Sequence, residues 1–430
     1  MKLSTFLLTA LLISISIGAA AEESRSKLEN TESIFDQEFV LENIYCVGNT
    51  KTKCSLIKKE LRVRSGKKVR DKDLQNSKIR LQLLGLFDEV DLNLKKGSER
   101  GKVDLEVSVK EGSSIYTVLD IGLGHINRRV YDSRSEFRND LQLTLGTRNL
   151  LGLGKRLSAT VYSQDGGGLT GNNGEGSYRL RYTDPNLLGS KRFFYNFDYV
   201  YGRDLYKQKN PVDLLNYTQQ YLGEGHLAQL EFGLRVGSFS YFTVGYSAVF
   251  NKESYDYVED GNLKSLKKSG NQKFVIAGFG VNTQDDLYFP TSGTRLDIKL
   301  PFEVGSSNSS SYFVNGGLSS EKASSVIFAG ELDWKTTWQL APKFYLTGFA
   351  ESRSHLENDD LVNSGLGLKF SYQTRRNQTY KDISDLRFFV TPSITNSVFD
   401  DYGPQLAAGV KLRSKKYGLA RFQLFLRDGR

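Results

Sequence analysis

From residue 113 to the C-terminus, apolar and polar positions alternate with a period of two, interrupted by Gly, Asn, Asp and Ser. Such alternation predicts strands with two unlike faces. Leu296, Ile298 and Leu300 share one face of a strand whose other face carries Arg295, Asp297 and Lys299. Tyr178, Leu180 and Tyr182 stand opposite Arg179 and Arg181. Phe193, Tyr195, Phe197, Tyr199 and Tyr201 stand opposite Arg192, Asn196 and Asp198. Phe328, Leu332 and Trp334 oppose Glu331, Asp333 and Lys335, and Leu406, Ala408, Val410 and Leu412 oppose Lys411 and Arg413. Some fifteen such segments follow one another, at roughly ten residues per strand plus loops.

Before residue 113 the pattern is mixed. FVLENIYCVGN reads as a strand ended by Gly48-Asn49. SLIKKELRV carries Leu56, Ile57 and Leu61 at helical spacing, and RDKDLQNSKIRLQLLGLF carries Leu74, Ile79, Leu81 and Leu84. EVDLNLKKG and KVDLEVSVKEG alternate as two strands around a Gly-containing turn. The order β-α-α-β-β over residues 39–112 fits one small α+β domain.

Two architectures accommodate the alternating region. A soluble sandwich hides its apolar faces between two sheets. A transmembrane barrel of about sixteen antiparallel strands turns them to lipid and keeps a wet interior. The barrel is favoured by charges at strand centres and by apolar faces rich in Tyr, Phe and Trp, as in interfacial girdles. The N-terminus adds to this. Lys2 precedes an apolar stretch from Phe6 to Ile17 and the small residues Ala19-Ala20-Ala21, the pattern of a secretory signal over residues 1–21. A membrane anchor would need a longer apolar stretch. Residues 22–38 are polar and read as a flexible linker, leaving residues 113–430 for the barrel.

Composition agrees. Only 39% of the 430 residues are hydrophobic, and the mean hydropathy is −0.41. That is too polar for a helical membrane protein and ordinary for a barrel. The formal net charge of +9 is spread over loops and strand faces, with no finger, RNP or P-loop pattern, so nucleic acid is not expected as a partner. The three histidines, His125, His226 and His355, have no nucleophile or metal-ligand companion at useful spacing. No enzyme, metal or cofactor is expected. Cys46 and Cys54 lie eight apart in a chain marked for export, where an oxidising compartment favours a disulfide. Two separate thiols are the alternative, and zinc would need further ligands.

Val47-Gly48-Asn49-Thr50, IKKELRVRSGKKV, LLGLFDEVDLNL and VDLEVSVKEG together resemble a POTRA domain, the polypeptide-transport-associated module. RNLLGLGKRLSATV, YTDPNLLGSKRFF and YFPTSGTRLDI resemble the barrel of the outer membrane protein 85 superfamily, which includes BamA-like and TamA-like assembly factors. The chain departs from the family in having one POTRA domain. It also lacks an Arg-Gly-aromatic motif within SRSHLENDDLVNSGLGLKF, the expected loop before the twelfth strand.

The resemblance implies an outer-membrane location with the POTRA domain in the periplasm. It implies a role in inserting or translocating proteins. The partners would be the lipid bilayer, unfolded outer-membrane or secreted proteins, and periplasmic accessory subunits. A passive channel or structural barrel and a secretion pore dedicated to one partner are the alternatives. On the POTRA edge, Phe87, Val90, Leu92 and Leu94 are the candidate client-binding residues; the competing reading is an ordinary edge strand guarded by Asp88, Glu89 and Asp91. In the barrel the implied seam joins Leu119, Ile121, Gly122, Leu123 and Gly124 to Phe422, Leu424 and Leu426, with the two glycines weakening the pairing. Gly152, Gly154, Asp184, Pro185, Pro290 and Gly293 are motif positions expected to shape turns.

Overall fold

The structure is a computed structural model. It describes residues 39–127, 135–164, 174–209, 218–236, 239–259, 262–285, 289–314, 317–323, 329–355, 363–380, 383–397, 400–414 and 418–428. The expected signal (1–21), the linker (22–38), Phe328 and the loop residues 356–362 lie outside them.

The N-terminal unit comprises β1 (Val40–Val47), α1 (Cys54–Glu60), α2 (Asp71–Leu83), β2 (Phe87–Lys96) and β3 (Lys102–Glu111). β3 is central, parallel to β1 and antiparallel to β2. Alternation on β3 turns Val103, Leu105, Val107 and Val109 inward. Leu105, Val107 and Val109 meet Leu41, Leu56, Ile57, Leu61 and Leu81 in one continuous core. Each such side chain is worth about 1.5–3 kcal/mol on burial. Within α2 the buried positions are Ser77 and Leu81. Ser77 is satisfied there: its Oγ donates to the Asp73 carbonyl (2.5 Å) and accepts from the Arg62 N–H (2.8 Å). Ile79 stays half-buried outside that core.

The second unit is a closed sheet. Its strands are β4 (Ile115–Asn127), β5 (Ser135–Leu150), β6 (Lys155–Gln164), β7 (Gly174–Asp184), β8 (Phe193–Lys209), β9 (Thr218–Val236), β10 (Ser240–Glu259) and β11 (Asn262–Asn282). They continue as β12 (Gly293–Val314), β13 (Gly317–Ala323), β14 (Ala329–Ala341), β15 (Phe344–His355), β16 (Asn363–Tyr380), β17 (Ile383–Ser397), β18 (Asp400–Ser414) and β19 (Gly418–Asp428). β13 and β14 both pair with β12, one along each half of it, so they fill a single place in the wall. Counted that way the ring has 15 strands, in keeping with the expected number of about sixteen.

The expectation of antiparallel pairing throughout fails at one place. β4 and β19 close the ring side by side and parallel. The cause is parity: in an up-and-down ring of fifteen, first and last strands run in the same direction.

The two faces sort as the alternation requires. Leu141, Leu143, Phe232, Phe242 and Leu368 are exposed on the outside. Inside, Asp198 is paired with both Arg179 and Arg181. Lys299 reaches Glu231 across the interior at 2.5 Å, and Arg295 pairs with Asp297 at 2.7 Å. Low-dielectric walls make such pairing a requirement for charges held there. The interior is not only polar. Phe194 lies over Gly233 and Tyr241 over Gly280, each glycine directly opposite its ring across the ladder. A Cβ at either glycine would stand 2.0 or 2.2 Å from that ring, so these strand glycines are seats for aromatic side chains.

Candidate functional site: the docked domain and the barrel seam

Only residues 112–114 separate β3 from β4. The small domain is therefore held at the start of β4, and hydrogen bonds fix it to the barrel's near end. The tight turn 151–154 after β5 brings Gly152 and Gly154, at φ +71° and +69°, against the loop before α1. A Cβ on Gly152 would lie 2.3 Å from the Lys51 carbonyl, and one on Gly154 would lie 3.0 Å from Leu56. The Gly152 carbonyl accepts from the Lys53 N–H (3.0 Å). Buried Asn149 donates to Thr52 Oγ1 (2.8 Å) and accepts from the Gly154 N–H (2.9 Å).

Two arginines complete the contact. Arg156 donates to the Leu84 carbonyl (2.9 Å) and Arg148 to the Gly85 carbonyl (2.8 Å). Leu84 is the C-cap of α2, so the guanidiniums meet unpaired carbonyls at the negative end of the helix dipole. Behind them Glu60, 3% exposed, pairs with Arg80 (2.6 Å) and Arg235 of β9 (3.7 Å).

Asp184 and Pro185 join the same patch. Asp184 pairs with Lys155 (3.0 Å) and accepts from the Asn186 N–H (3.0 Å); Pro185 borders Gly154. Four of the six motif positions thus gather where the domain docks. Pro290 and Gly293 lie elsewhere, on the turn between β11 and β12. Sequence reasoning missed Arg148, Asn149, Arg156 and Arg235; the available signal was Arg148-Asn149 placed directly before the glycine turn.

At the free end of β1, Glu111 accepts from Thr50 Oγ1 (2.8 Å), the Lys51 N–H (2.9 Å) and the Thr52 N–H (2.6 Å). Burial opposes ionisation of this carboxyl, but the hydrogen bonds from Thr52, Thr50 and Lys51 together hold its pKa down at about 2. A disulfide joins Cys46 to Cys54 and ties β1 to the start of α1.

β2 is the open edge of the three-stranded sheet. Phe87 and Val90 face inward and belong to the core, and Leu92 packs against it. Of the four edge candidates only Leu94 is exposed. A bulge between Phe87 and Glu89 keeps this inward set in phase. What β2 leaves exposed is therefore its backbone edge and the Leu94 end, not the side chains of Phe87 and Val90.

The seam residues do come together. β4 and β19 run in register over ten pairs, as many as β18 and β19 share. Ile121 faces Phe422 and Leu123 faces Leu424. The outer positions Phe422, Leu424 and Leu426 are exposed. On the inner side, Arg421 donates through Nε to Asp120 directly opposite (2.8 Å). Phe425 is buried against Ala407 and covers Gly124, where a Cβ would come within 2.3 Å of its ring. The ladder runs unbroken through Gly122 and Gly124. Two features distinguish the seam: its parallel direction, slightly weaker per residue than antiparallel pairing, and the lack of a hairpin joining its strands.

A family model described as a surface antigen variable number repeat, POTRA, matches residues 39–112. An Omp85 superfamily domain matches residues 149–354. The chain thus carries a POTRA domain and an Omp85 superfamily domain. Among curated relatives it is 23% identical over 346 residues to the outer membrane protein assembly factor BamA of Nitratidesulfovibrio vulgaris, covering 78% of this chain and 38% of that one. It is 25% identical over 283 residues to BamA of Neisseria meningitidis serogroup B, covering 62% and 32%. The chain thus spans about a third of the length of these relatives. Among solved structures, CdiB from Escherichia coli superposes with a TM-score of 0.50 at 11% identity, covering 88% of this chain and 70% of that one; this likeness concerns the fold. This Omp85 barrel sits in the outer membrane, with its POTRA domain on the periplasmic side. The apolar outer surface faces lipid, and the near end is the periplasmic mouth.

Proposed function

We propose that this Omp85 protein assembles or translocates other proteins, and that the work is done at the β4–β19 seam beside the docked POTRA domain. One observation carries the reading: the junction where the first and last strands of the ring meet, which no hairpin joins, lies on β4, the strand that the POTRA domain enters through three residues. A client held along the β2 edge by strand addition would already be beside that junction. Opening it exposes two strand edges, and an incoming strand replaces the hydrogen bonds that the opening breaks. No external energy source is then needed, because the exchange is nearly balanced.

Depleting the protein and measuring the outer-membrane proteome tests the reading. A broad loss of barrel proteins is the expected result. Loss of one exported protein assigns the chain to dedicated secretion instead, and an unchanged proteome assigns it to a passive channel.

A further inference from the structure

Phe289 and Pro290 belong to the periplasmic turn between β11 and β12, yet their contacts lie four and five strands further round the wall. Phe289 is 3% exposed. Its ring lies 4.8 Å from the Arg413 guanidinium, 5.1 Å from the Lys411 ammonium and 5.4 Å from the Arg387 guanidinium. Arg387 donates to the Pro290 carbonyl (2.9 Å) and the Phe289 carbonyl (3.3 Å), and stacks on Tyr345 at 4.5 Å. These cations are on β17 and β18, and β14, β15 and β16 lie between them and β12 around the ring. Arg387 and Tyr345 are buried, whereas the adjacent Phe388 is exposed to lipid. The contacts are therefore on the lumen side, and Phe289 and Pro290 reach across the mouth from the start of β12.

The turn is built to hold that course. Asp285 Oδ1 accepts from the Thr291 N–H (2.8 Å) and the Ser292 N–H (3.2 Å), and Asp285 also binds the Thr291 hydroxyl. The Thr283 N–H donates to the Thr294 carbonyl (2.8 Å). Gly293, at φ +102°, sits so close to Thr283 that a Cβ would stand 2.4 Å from its carbonyl oxygen. The aromatic ring over three cations is a favourable cation–π arrangement in a site from which water is largely excluded.

We propose that the stretch from Phe289 to Ser292 is a fixed strap that narrows the periplasmic mouth of the lumen, with Phe289 as its anchor, and that releasing it opens an anion-preferring path. The preference follows from the wall uncovered: Arg387, Lys411 and Arg413 stand there with Asp385, a net positive lining. The strap is independent of the seam reading, because conductance is measured with no client present.

The test is single-channel conductance and reversal potential of the full chain in planar bilayers under a KCl gradient. Phe289→Ala is expected to give larger conductance steps than the parent and a reversal potential shifted toward that of chloride. Phe289→Tyr, which keeps the ring, is expected to behave as the parent. Lys411→Gln with Arg413→Gln in the Phe289→Ala background is expected to remove the chloride shift. Folding of each variant is checked by its heat-dependent migration in SDS. Should Phe289→Ala fail to fold, Arg387→Gln, which cuts both carbonyl contacts, decides by the same readout. Parental conductance in the folded variant overturns the strap.

Discussion

Glu111 is a single carboxylate holding three donors at the loop between β1 and α1. Its folded pKa of about 2 lies below the ordinary 4.5. The stabilisation is therefore complete above pH 4.5 and is lost as the pH falls from 4.5 through about 2. Hydrogen-exchange protection of the Lys51 and Thr52 amides, corrected for intrinsic rates, should decline across that window. Glu111→Gln should lose about 1 kcal/mol of local protection at neutral pH, since the site is largely open to water. Protection that is flat with pH would show that the carboxylate does not hold the loop. Gly124 makes a second residue-scale case. Gly124→Val forces the Phe425 ring off its seat, an overpacking cost of about 1–3 kcal/mol. The temperature at which the SDS-resistant form is lost should fall. Adding Phe425→Ala should recover part of the drop; no recovery would mean the ring is not the obstruction.

Among the elements, the docked POTRA domain depends on α2 ending against two barrel arginines. Arg148→Ala with Arg156→Ala leaves the Leu84 and Gly85 carbonyls without their barrel donors while the short 112–114 connection remains. Pulsed EPR between a label on the domain and one on the barrel should give a broad distance distribution in place of a narrow one. An unchanged width would show that the turn glycines and Asn149 suffice. The Cys46–Cys54 bridge closes a short loop, worth about 2–3 kcal/mol on a chain-entropy account. Reduction should lower the stability of the POTRA domain by that amount and leave the barrel's heat-dependent migration unchanged.

At the scale of the whole molecule, facing was legible in the sequence and partnership was not. The alternation in Arg295–Leu300 and in Tyr178–Tyr182 assigns lipid and lumen faces, because a period of two fixes which side a residue is on. The Leu56, Ile57 and Leu81 spacing likewise gave the POTRA core. Period alone says nothing about which strand lies beside β4, in which direction, or that β13 and β14 share one place. Nor does it say that Phe289, on a turn, crosses the mouth to Arg387, since such contacts depend on ring closure and not on neighbouring residues. The candidate site divided in the same way. The seam strands were identifiable from their glycines and their places at the two ends of the barrel. The arginines of the docking patch were not, because surface arginines carry no positional pattern. Gly152, Gly154, Asp184 and Pro185 read as turn formers, and their closeness to the POTRA loop is a property of the assembled ends.

On the function proposed, the β4–β19 seam is the working part of the molecule, and a reversible lock tests this most directly. The register places Leu123 opposite Leu424, so Leu123→Cys with Leu424→Cys puts one disulfide across the seam on its outer face. The locked protein should still show heat-dependent migration, and client barrels should stop reaching the folded state in the outer membrane. Reduction should restore their assembly. Client barrels assembling at the parental rate through an oxidised, fully crosslinked seam would contradict the account.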